Sequence, residues 1–320
     1  FINLHTHAAM TLMRGLTDDQ PLMTWLNDYI WPAESKHLSE AYVFDGTELA
    51  AAEMLRSGIT CMADMYFYHH VAARAALKAG MRVAFGAAII EFPTPYAADA
   101  EGYITRALET REAFAAESRL RLMLAPHAPY TVSDKTFQRV VTIAQEADFQ
   151  IMLHVHETRD ELAQGEKEYG CRPIERLERL GVLGPHLIAV HCVHTNAIER
   201  EMFAQTGVHV AHCPVSNLKL ASGIAEIAAM VDAGINVGIG TDGTASNNRL
   251  DMLSETRLAS LLAKGVSGNA AALDAHTILQ MATINGARAL GWDREIGSLL
   301  PGKRADITAI DLSTIESQPV

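Results

Sequence analysis

Two histidines separated by a single residue, His5 and His7, form the pair in this chain whose spacing says most about chemistry. They follow the apolar residues of a predicted first strand, in which side chains two positions apart point to the same face. Two imidazoles on one face can bind a single metal ion, although such pairs also occur as ordinary polar surface residues. The spacing alone leaves both interpretations open, so the choice depends on what the rest of the chain supplies.

Side chains able to bind a metal or carry a proton recur after other predicted strands. His127 follows the fourth strand, His154 and Glu157 end the fifth, His191 ends the sixth, and Asp242 follows the eighth. In a barrel of parallel strands the active site is built at the carboxyl ends of the strands. Histidines kept only for structure would not respect this polarity, which therefore favours one functional site.

Three imidazoles and one carboxylate, with a position left for water, suit a divalent ion such as zinc or iron. We assign His5, His7, His154 and Asp242 as the ligands. His156 shares a face with His154 in an ideal strand, so spacing does not decide between these two. A two-metal site would need a bridging anion, commonly a modified lysine on a central strand, and the predicted fourth strand (120–126) has no lysine. We therefore predict one ion, which would lower the pKa of a bound water towards neutrality.

A hydrolytic site also needs groups that move protons, and two candidates lie beside these ligands. Glu157 is placed to protonate a ring nitrogen of a heteroaromatic substrate. Its structural alternative is a carboxylate favoured by the dipole at a helix N-terminus. His191 is placed to hydrogen-bond the attacking oxygen, whereas His194, three residues later, is interpreted as a loop histidine.

These residues need a scaffold of alternating strands and helices, and the chain has that pattern. Strands are predicted at 2–7, 59–64, 82–88, 120–126, 151–156, 187–191, 208–212 and 236–240. Amphipathic helices are predicted between them, among others at 102–116, 134–147, 173–180 and 224–233. This order predicts an α/β fold, a (β/α)8 barrel. A doubly wound open sheet is the alternative, but no Gly-x-Gly-x-x-Gly turn follows a strand.

Composition limits the partners. The 320 residues carry a formal net charge of -12, which disfavours nucleic acid as a partner, and no apolar run is long enough to span a membrane. The four cysteines lack Cys-x-x-Cys spacing, so we expect reduced thiols in a cytoplasmic protein. Both ends look cut, because the chain opens inside a predicted strand and closes soon after another at 303–311. We expect more sequence on both sides, and a homo-oligomer, a dimer or tetramer.

Seven motifs in order resemble the amidohydrolase superfamily, and within it the 5′-methylthioadenosine/S-adenosylhomocysteine deaminases. They are His-Thr-His at 5–7, Trp-Pro-Ala-Glu at 31–34, Pro-His-Ala-Pro-Tyr at 126–130, His-Val-His-Glu-Thr at 154–158, His-Cys-Val-His at 191–194, His-Cys-Pro-Val-Ser-Asn at 212–217 and Gly-Thr-Asp-Gly at 240–243. The resemblance implies a metal-dependent barrel at 1–298. It also implies that 299–320 starts the C-terminal part of a small β-sandwich, most of which is missing.

The resemblance also implies roles for single residues. It selects His154 over His156 as the ligand, beside His5, His7 and Asp242, with zinc as the expected ion and iron or manganese as alternatives. Asp242 would take a proton from the nucleophilic water, Glu157 would protonate the purine N1, and His191 would orient the oxygen at C6. Glu34 would hold the ribose hydroxyls, although its default interpretation is a helix-surface carboxylate. His127 would contact the purine nucleoside.

The resemblance predicts deamination of 5′-methylthioadenosine to the matching inosine derivative and ammonia, with S-adenosylhomocysteine and adenosine as further substrates. Some members of the family place arginines after the third strand, where they meet the homocysteine carboxylate. Here residues 86–93 contain no arginine and are largely apolar, which favours methylthioadenosine. Alternatives are a guanine or cytosine deaminase, an s-triazine hydrolase, or a non-catalytic barrel scaffold.

Overall fold

Eight strands, each leading into a helical segment, follow one another along the described part of this chain. The computed structural model describes residues 1–313 and 317–318. The strands are β1 (Ile2–Thr6), β2 (Cys61–Tyr66), β3 (Arg82–Ile89), β4 (Leu120–Pro126), β5 (Ile151–Val155), β6 (Leu187–His191), β7 (His209–His212) and β8 (Asn236–Ile239). Their residues are almost all buried, because helices cover the outside of the sheet and side chains fill its interior.

The eight strands form one parallel sheet in sequence order, β1 to β8. Residues just after β8 join it to β1. The backbone N–H of Asp242 donates to the carbonyl of His5 at 2.9 Å, and the Asn3 amide exchanges hydrogen bonds of 2.8 and 2.9 Å with Thr241. Gly240 passes so close that a Cβ atom there would lie 2.8 Å from the His5 nitrogen. The predicted barrel is confirmed, and the open-sheet alternative is wrong.

The helices of the first half are α1 (Leu22–Thr24), α2 (Trp31–His37), α3 (Glu40–Arg56), α4 (His69–Lys78), α5 (Ala100–Ala113), α6 (Asp134–Ala147), α7 (Arg159–Tyr169) and α8 (Pro173–Arg179). The second half contributes α9 (Ala197–Thr206), α10 (Pro214–Lys219), α11 (Ile227–Asp232), α12 (Thr244–Asn247), α13 (Met252–Ser267), α14 (Ala275–Met281) and α15 (Ile284–Ala289). Local signals fix several of their ends. Helix α9, for example, starts at a capping box of Asn196 and Glu199 and stops at Gly207, whose φ is +77°.

Alternation along the strands divides the apolar residues into two layers. Residues such as Leu4, Ala84, Met123 and Val190 pack together in one cluster, which we interpret as the interior of the barrel. Their strand neighbours join the larger layer between strands and helices, which includes Val83, Phe85, Leu122, Leu124 and Ala189. The interior therefore holds a packed core, and the carboxyl ends of the strands are left to build a site.

The segment after β1 was not predicted in detail and shapes that end of the barrel. A 3-10 helix (Ala8–Met13), α1, a π-helical stretch (Trp25–Ile30) and α2 follow one another there. Trp25, Leu26 and Ile30 are buried, so this segment packs by its apolar face. It forms a wall beside the carboxyl ends of the strands.

Several predicted boundaries are wrong by one to three residues. Strand β1 ends at Thr6, β5 at Val155 and β8 at Ile239, while β2 runs over Cys61–Tyr66 instead of 59–64. His7 and His156 therefore lie just beyond their strands. Helix ends also shift, with α5 at Ala100–Ala113 and α11 at Ile227–Asp232. The predicted strand 120–126 and helix 134–147 have the bounds observed for β4 and α6.

The alternating stretch 303–311 was predicted as a strand, and this prediction is wrong. The structure assigns no strand there, since no strand of the described residues pairs with it. The stretch lies against the amino ends of the strands instead, where Asp306 pairs with Arg82 at 3.1 Å and Thr308 donates to Gly58 O at 2.7 Å. The division into a barrel at 1–298 and a sandwich segment at 299–320 stays a prediction. Within residues 1–313 and 317–318, no helix is both long and apolar enough to cross a membrane.

Candidate active site

Three histidines from two strand ends converge at the carboxyl end of the barrel. Nitrogen atoms of His5, His7 and His154 all lie within 4.8 Å of one another. The Nε2 atoms of His5 and His154 are 3.1 Å apart, and Asp242 Oδ1 lies 3.6 Å from His5 Nε2 and 3.3 Å from His7 Nε2. The structure therefore brings the four predicted ligands into one cluster.

Two of these imidazoles are held by hydrogen bonds on the side away from the cluster. His7 Nδ1 lies 2.6 Å from the Met65 carbonyl, and His154 Nδ1 lies 2.8 Å from the His127 carbonyl. A carbonyl only accepts, so each Nδ1 carries a hydrogen, which in a neutral imidazole leaves the Nε2 lone pair free. This arrangement is the usual outer support of histidines that bind a metal.

The charge state of the cluster also fits a divalent cation. Burial lowers the pKa of His5 to about 4 and that of His154 well below its usual value, so both are neutral donors at neutral pH. Burial alone would raise the pKa of Asp242, but the interaction with His5 and the nearby imidazoles hold it well below its usual value. Neutral nitrogens beside one ionised carboxylate form a donor set suited to zinc.

The structure separates His154 from His156, which spacing alone could not do. Strand β5 ends at Val155, and His156 adopts a left-handed backbone with φ of +54°. Its ring leaves the cluster: Nε2 accepts from the Ile174 N–H at 3.3 Å, and Nδ1 lies 3.6 Å from Glu199. Strand alternation fails here because the strand has already ended.

Glu157 and His191 approach each other beside this cluster. Glu157 Oε2 lies 3.7 Å from His191 Nε2, and both side chains are almost completely buried. Burial raises the pKa of Glu157, and the Asp242 carboxylate adds to this effect against the opposing influence of His191. A carboxyl group that keeps its proton more readily is suited to act as a general acid.

A second carboxylate holds the backbone at Glu157. The two oxygens of Glu161, on α7, accept the N–H groups of His156 and Glu157 at 2.8 and 2.9 Å. Both donors lie in the turn between β5 and α7. Glu161 therefore fixes the chain direction from which the Glu157 side chain departs.

A cavity of about 340 Å³ opens beside the cluster. Every predicted site residue except the fully buried His5 lines it, and these are His7, Glu34, His127, His154, Glu157, His191 and Asp242. Glu34 reaches the cavity from α2, and its Oε1 accepts from the Tyr66 hydroxyl at 2.7 Å. Burial raises the pKa of Glu34 to about 7. His127 Nδ1 lies 3.0 Å from Thr131 Oγ1, and burial lowers the pKa of His127 to about 3, so this ring is neutral.

The rest of the cavity wall is mostly apolar. The segment after β1 contributes Leu22, Trp25, Leu26, Ile30 and Trp31, and the loop after β3 contributes Ile90, Phe92, Pro93 and Pro95. The rings of Trp31 and Phe92 meet edge to face with centroids 5.5 Å apart, which links these two parts of the wall. Among the described residues that line the cavity, none is a lysine or an arginine.

Four residues that support the site had no assigned role at the sequence level: Tyr66, Glu161, Ser216 and Asn217. Ser216 and Asn217 lie in the quoted motif 212–217, which was a usable signal. Tyr66 and Glu161 had none, because their partners are distant in sequence or are backbone groups.

Comparison with known proteins covers the whole barrel. The profile of the amidohydrolase family matches residues 1–320. A 5-methylthioadenosine/S-adenosylhomocysteine deaminase of Teredinibacter turnerae is 48% identical over 319 residues, which is 100% of this chain and 72% of that protein. A 5′-deoxyadenosine deaminase of Methanothermobacter thermautotrophicus is 43% identical over 310 residues, 97% of this chain and 72% of that protein. The crystal structure of an adenosine deaminase from Xanthomonas campestris with bound zinc matches with a TM-score of 0.98 at 48% identity, over 100% of this chain and 73% of that one.

Proposed function

We propose that this chain, which belongs to the amidohydrolase family, is a metal-dependent hydrolase that converts 5′-methylthioadenosine to the matching inosine derivative and ammonia. The observation that carries the proposal is the meeting of a histidine–aspartate cluster with a protonatable glutamate in one cavity. Deaminases of adenosine-type nucleosides among the similar proteins support the same reaction. S-adenosylhomocysteine and adenosine are further candidate substrates.

His5, His7, His154 and Asp242 are the residues that would hold the metal. Zinc is the proposed ion, because the similar deaminase structure contains zinc and the donor set has the nitrogen-rich character zinc prefers. Iron and manganese accept similar ligands. When bound, such an ion acidifies water and polarises the oxygen that adds to the substrate.

The protein's own groups would handle the protons. Glu157 donates its proton to purine N1 as water adds to C6, which moves the electron pair of the ring onto that nitrogen. Asp242 accepts the proton that the attacking water loses and delivers it to the departing amino group. His191 hydrogen-bonds the new oxygen at C6 and keeps it in line with the attack. The C6–N bond then breaks, ammonia leaves, and the hydroxyl proton at C6 passes to the Glu157 carboxylate as the C6 carbonyl forms, which restores the acid.

The remaining cavity residues would determine the substrate specificity. Glu34 is proposed to accept hydrogen bonds from the ribose hydroxyls, and His127 to contact the purine nucleoside. The apolar wall at Trp25, Trp31 and Phe92 suits a methylthio group, whose burial contributes about 0.8 kcal/mol per methylene equivalent. A homocysteine tail carries a carboxylate, and no cation among the described lining residues would meet it. The wall therefore supports 5′-methylthioadenosine over S-adenosylhomocysteine.

The assay for this proposal follows the loss of adenine absorbance when purified, zinc-loaded protein is mixed with 5′-methylthioadenosine. Ammonia release, measured independently, should match the absorbance change one to one. The variant Asp242→Asn is the control for a contaminating deaminase, and it should be inactive. No absorbance change with metal-loaded protein would reject the substrate assignment. Turnover of guanine, cytosine or an s-triazine would instead identify the enzyme as a free-base deaminase or a triazine hydrolase.

The cellular compartment and the oligomeric state of the enzyme are also proposals. The four cysteines are buried and free, which is consistent with a reducing compartment such as the cytoplasm. A homo-oligomer, dimer or tetramer, is the expected assembly. Light scattering of the purified protein would measure its mass against the 34.8 kDa of this chain.

A further inference from the structure

The motif His-Cys-Pro-Val-Ser-Asn at 212–217 has no role in the proposed reaction, yet it lies against two of the proposed reacting groups. Strand β7 ends at His212, and α10 begins two residues later at Pro214. The first turn of α10 carries Ser216 and Asn217, which are 0% and 1% exposed. Polar side chains this deeply buried are expected to have hydrogen-bond partners. The Ser216 hydroxyl is paired with Asp242 and Asn217 Oδ1 with His191, while Asn217 Nδ2 has no partner among the described residues.

The Ser216 hydroxyl hydrogen-bonds one carboxylate oxygen of Asp242 and helps to fix the orientation of that carboxylate. The Ser216 hydroxyl donates to Oδ2 at 2.6 Å, while the backbone N–H of Gly243 donates to Oδ1 at 2.7 Å. Oδ1 is also the oxygen that faces His5 and His7. With a separate donor on each oxygen, the carboxylate cannot rotate without losing a hydrogen bond, so Oδ1 stays directed at the histidines.

The Asn217 side chain determines which ring nitrogen of His191 carries a hydrogen. Asn217 Oδ1 lies 2.8 Å from His191 Nδ1, and an amide oxygen only accepts. With the amide oxygen against the ring, Nδ1 carries a hydrogen, and in the neutral ring the Nε2 lone pair then faces Glu157. Nε2 can then accept a hydrogen bond from a hydroxyl group that forms between these two residues.

Both controlled residues have a backbone that needs such support. Asp242 and His191 have φ values of +60° and +70°, in the left-handed region that non-glycine residues rarely adopt. Such conformations are unfavourable and persist where surrounding contacts fix them. The segment that supplies the contacts is itself tied down, because the Asn217 carbonyl accepts from the Ser222 N–H at 2.8 Å.

We propose that Ser216 and Asn217 are paired positioning residues, the first orienting Asp242 towards the metal cluster and the second fixing the hydrogen on His191. The effect of both residues on turnover rests on the proposed function, whereas the orientation of Asp242 by Ser216 does not. The competing explanation is that both residues only fill space beneath the site. Filling space would make their effects depend on side-chain volume, while positioning makes them depend on the hydroxyl and the amide oxygen.

The test for Ser216 measures metal binding directly, by competition between the protein and a zinc chelator of known affinity. Ser216→Ala should weaken zinc binding by roughly 10- to 100-fold, the usual effect of losing a partner of a metal ligand. Ser216→Thr restores a hydroxyl and should recover most of that affinity. Ser260→Ala is the matched control, since Ser260 lies on α13 and its hydroxyl donates to Leu273 O rather than to a site residue. Its zinc affinity should equal that of the unsubstituted protein.

The test for Asn217 compares two variants whose side chains keep the branched heavy-atom skeleton of asparagine but differ in whether an oxygen acceptor is present. Asn217→Leu removes the acceptor and should lower kcat by roughly 10- to 100-fold with KM for 5′-methylthioadenosine little changed. Asn217→Asp keeps an oxygen against Nδ1 and should be clearly faster than Asn217→Leu. Thermal unfolding of every variant identifies those that simply fold poorly, and the comparison is made at a temperature where each is folded.

The outcomes separate this inference from the proposed function. Unchanged zinc affinity in Ser216→Ala, or equal kcat in the two Asn217 variants, overturns the assigned role of that residue. If the unsubstituted protein binds zinc but deaminates no adenosine derivative, the proposed function fails. The chelator competition still decides the role of Ser216 in that case, because it needs no substrate.

Discussion

Glu34 is the residue whose replacement should most sharply distinguish a nucleoside enzyme from an enzyme acting on a free base. Glu34→Ala removes a carboxylate that lines the cavity and accepts from the Tyr66 hydroxyl at 2.7 Å. If its partners in the complex are two ribose hydroxyls, the variant loses two hydrogen bonds to a charged group. We expect a higher KM for 5′-methylthioadenosine and little change for adenine, which has no ribose.

The magnitude follows from the number and type of hydrogen bonds. A hydrogen bond to a charged group contributes about 1.5–3 kcal/mol, so two at the lower end give about 3 kcal/mol. At about 1.4 kcal/mol per factor of ten, this is a loss of roughly 150-fold in kcat/KM. The loss should appear in KM rather than kcat, because the ribose contact is present in both ground and transition states.

The same residue predicts a pH dependence. Burial raises the pKa of Glu34 to about 7, so the carboxyl group becomes protonated as the pH falls through this value. A protonated group accepts less well, so KM should rise on the acidic side. A divalent cation in the histidine cluster would lower this pKa, which places the break at or below pH 7. Tyr66→Phe removes a donor that lowers the pKa of Glu34, and the break should move to higher pH.

Steady-state kinetics on 5′-methylthioadenosine and the inhibition constant of adenine provide the measurements. Glu48→Ala is a suitable control, because Glu48 is an exposed carboxylate paired with Lys78 on the outside of the barrel. An increase in KM below about threefold, or an equal loss in adenine binding, would refute the assignment of Glu34 to the ribose, because the cost estimated above is roughly 150-fold.

Three further predictions concern the metal, the proton donor and the 5′ tail. Removing the ion with a chelator should abolish turnover and lower the unfolding temperature in calorimetry, and added zinc should restore both, because a ligand that binds only the folded state stabilises it. Glu157→Gln keeps the shape but not the proton, so kcat should fall by about 100-fold or more with KM within about threefold, as measured under saturating substrate. The unsubstituted enzyme should have a kcat/KM for 5′-methylthioadenosine at least about tenfold above that for S-adenosylhomocysteine. Phe92→Arg places a cation at the cavity wall that can pair with the carboxylate of the homocysteine tail, so the ratio of these two kcat/KM values should fall. A ratio near one in the unsubstituted enzyme would contradict the argument from the apolar wall.

The barrel could be predicted because its signals are local. The stretch 120–126 and the helix 134–147 carry their own apolar periodicity, and both have the predicted bounds. Apolar and polar residues alternate in the stretch 303–311, as they do in a strand. A strand also needs a neighbouring strand to hydrogen-bond with, and alternation does not show whether one is present. In the structure Asp306 instead pairs with Arg82, a contact between residues far apart in sequence.

The candidate site divides in the same way between local and distant information. His5 and His7 are close in sequence, one in β1 and the other just after its end, so local geometry places them together. The order of strands then accounts for the approach of His154 and Asp242. Tyr66 and Glu161 had no such signal: one lies inside β2 like any buried aromatic residue, and the other resembles an ordinary glutamate at the start of a helix. Their roles follow from the partners they meet, Glu34 and the backbone of Glu157.

Three residues at this end of the barrel lie where the backbone leaves regular structure. His156, His191 and Asp242 all have left-handed φ values, of +54°, +70° and +60°, at or just after the ends of β5, β6 and β8. A left-handed residue turns the chain out of the strand, so the rule that side chains two apart share a face no longer applies. The rule therefore fails for His156. It still holds for His5 and His7, because His7 lies just beyond β1 but has a φ of -121°, outside the left-handed region. At about 1–3 kcal/mol each, three such residues are a cost to folding that the surrounding hydrogen bonds must offset. The hydrogen bonds that Ser216, Asn217 and Glu161 make at these turns supply part of that offset, which ties the stability of this end of the barrel to the placement of its reacting groups.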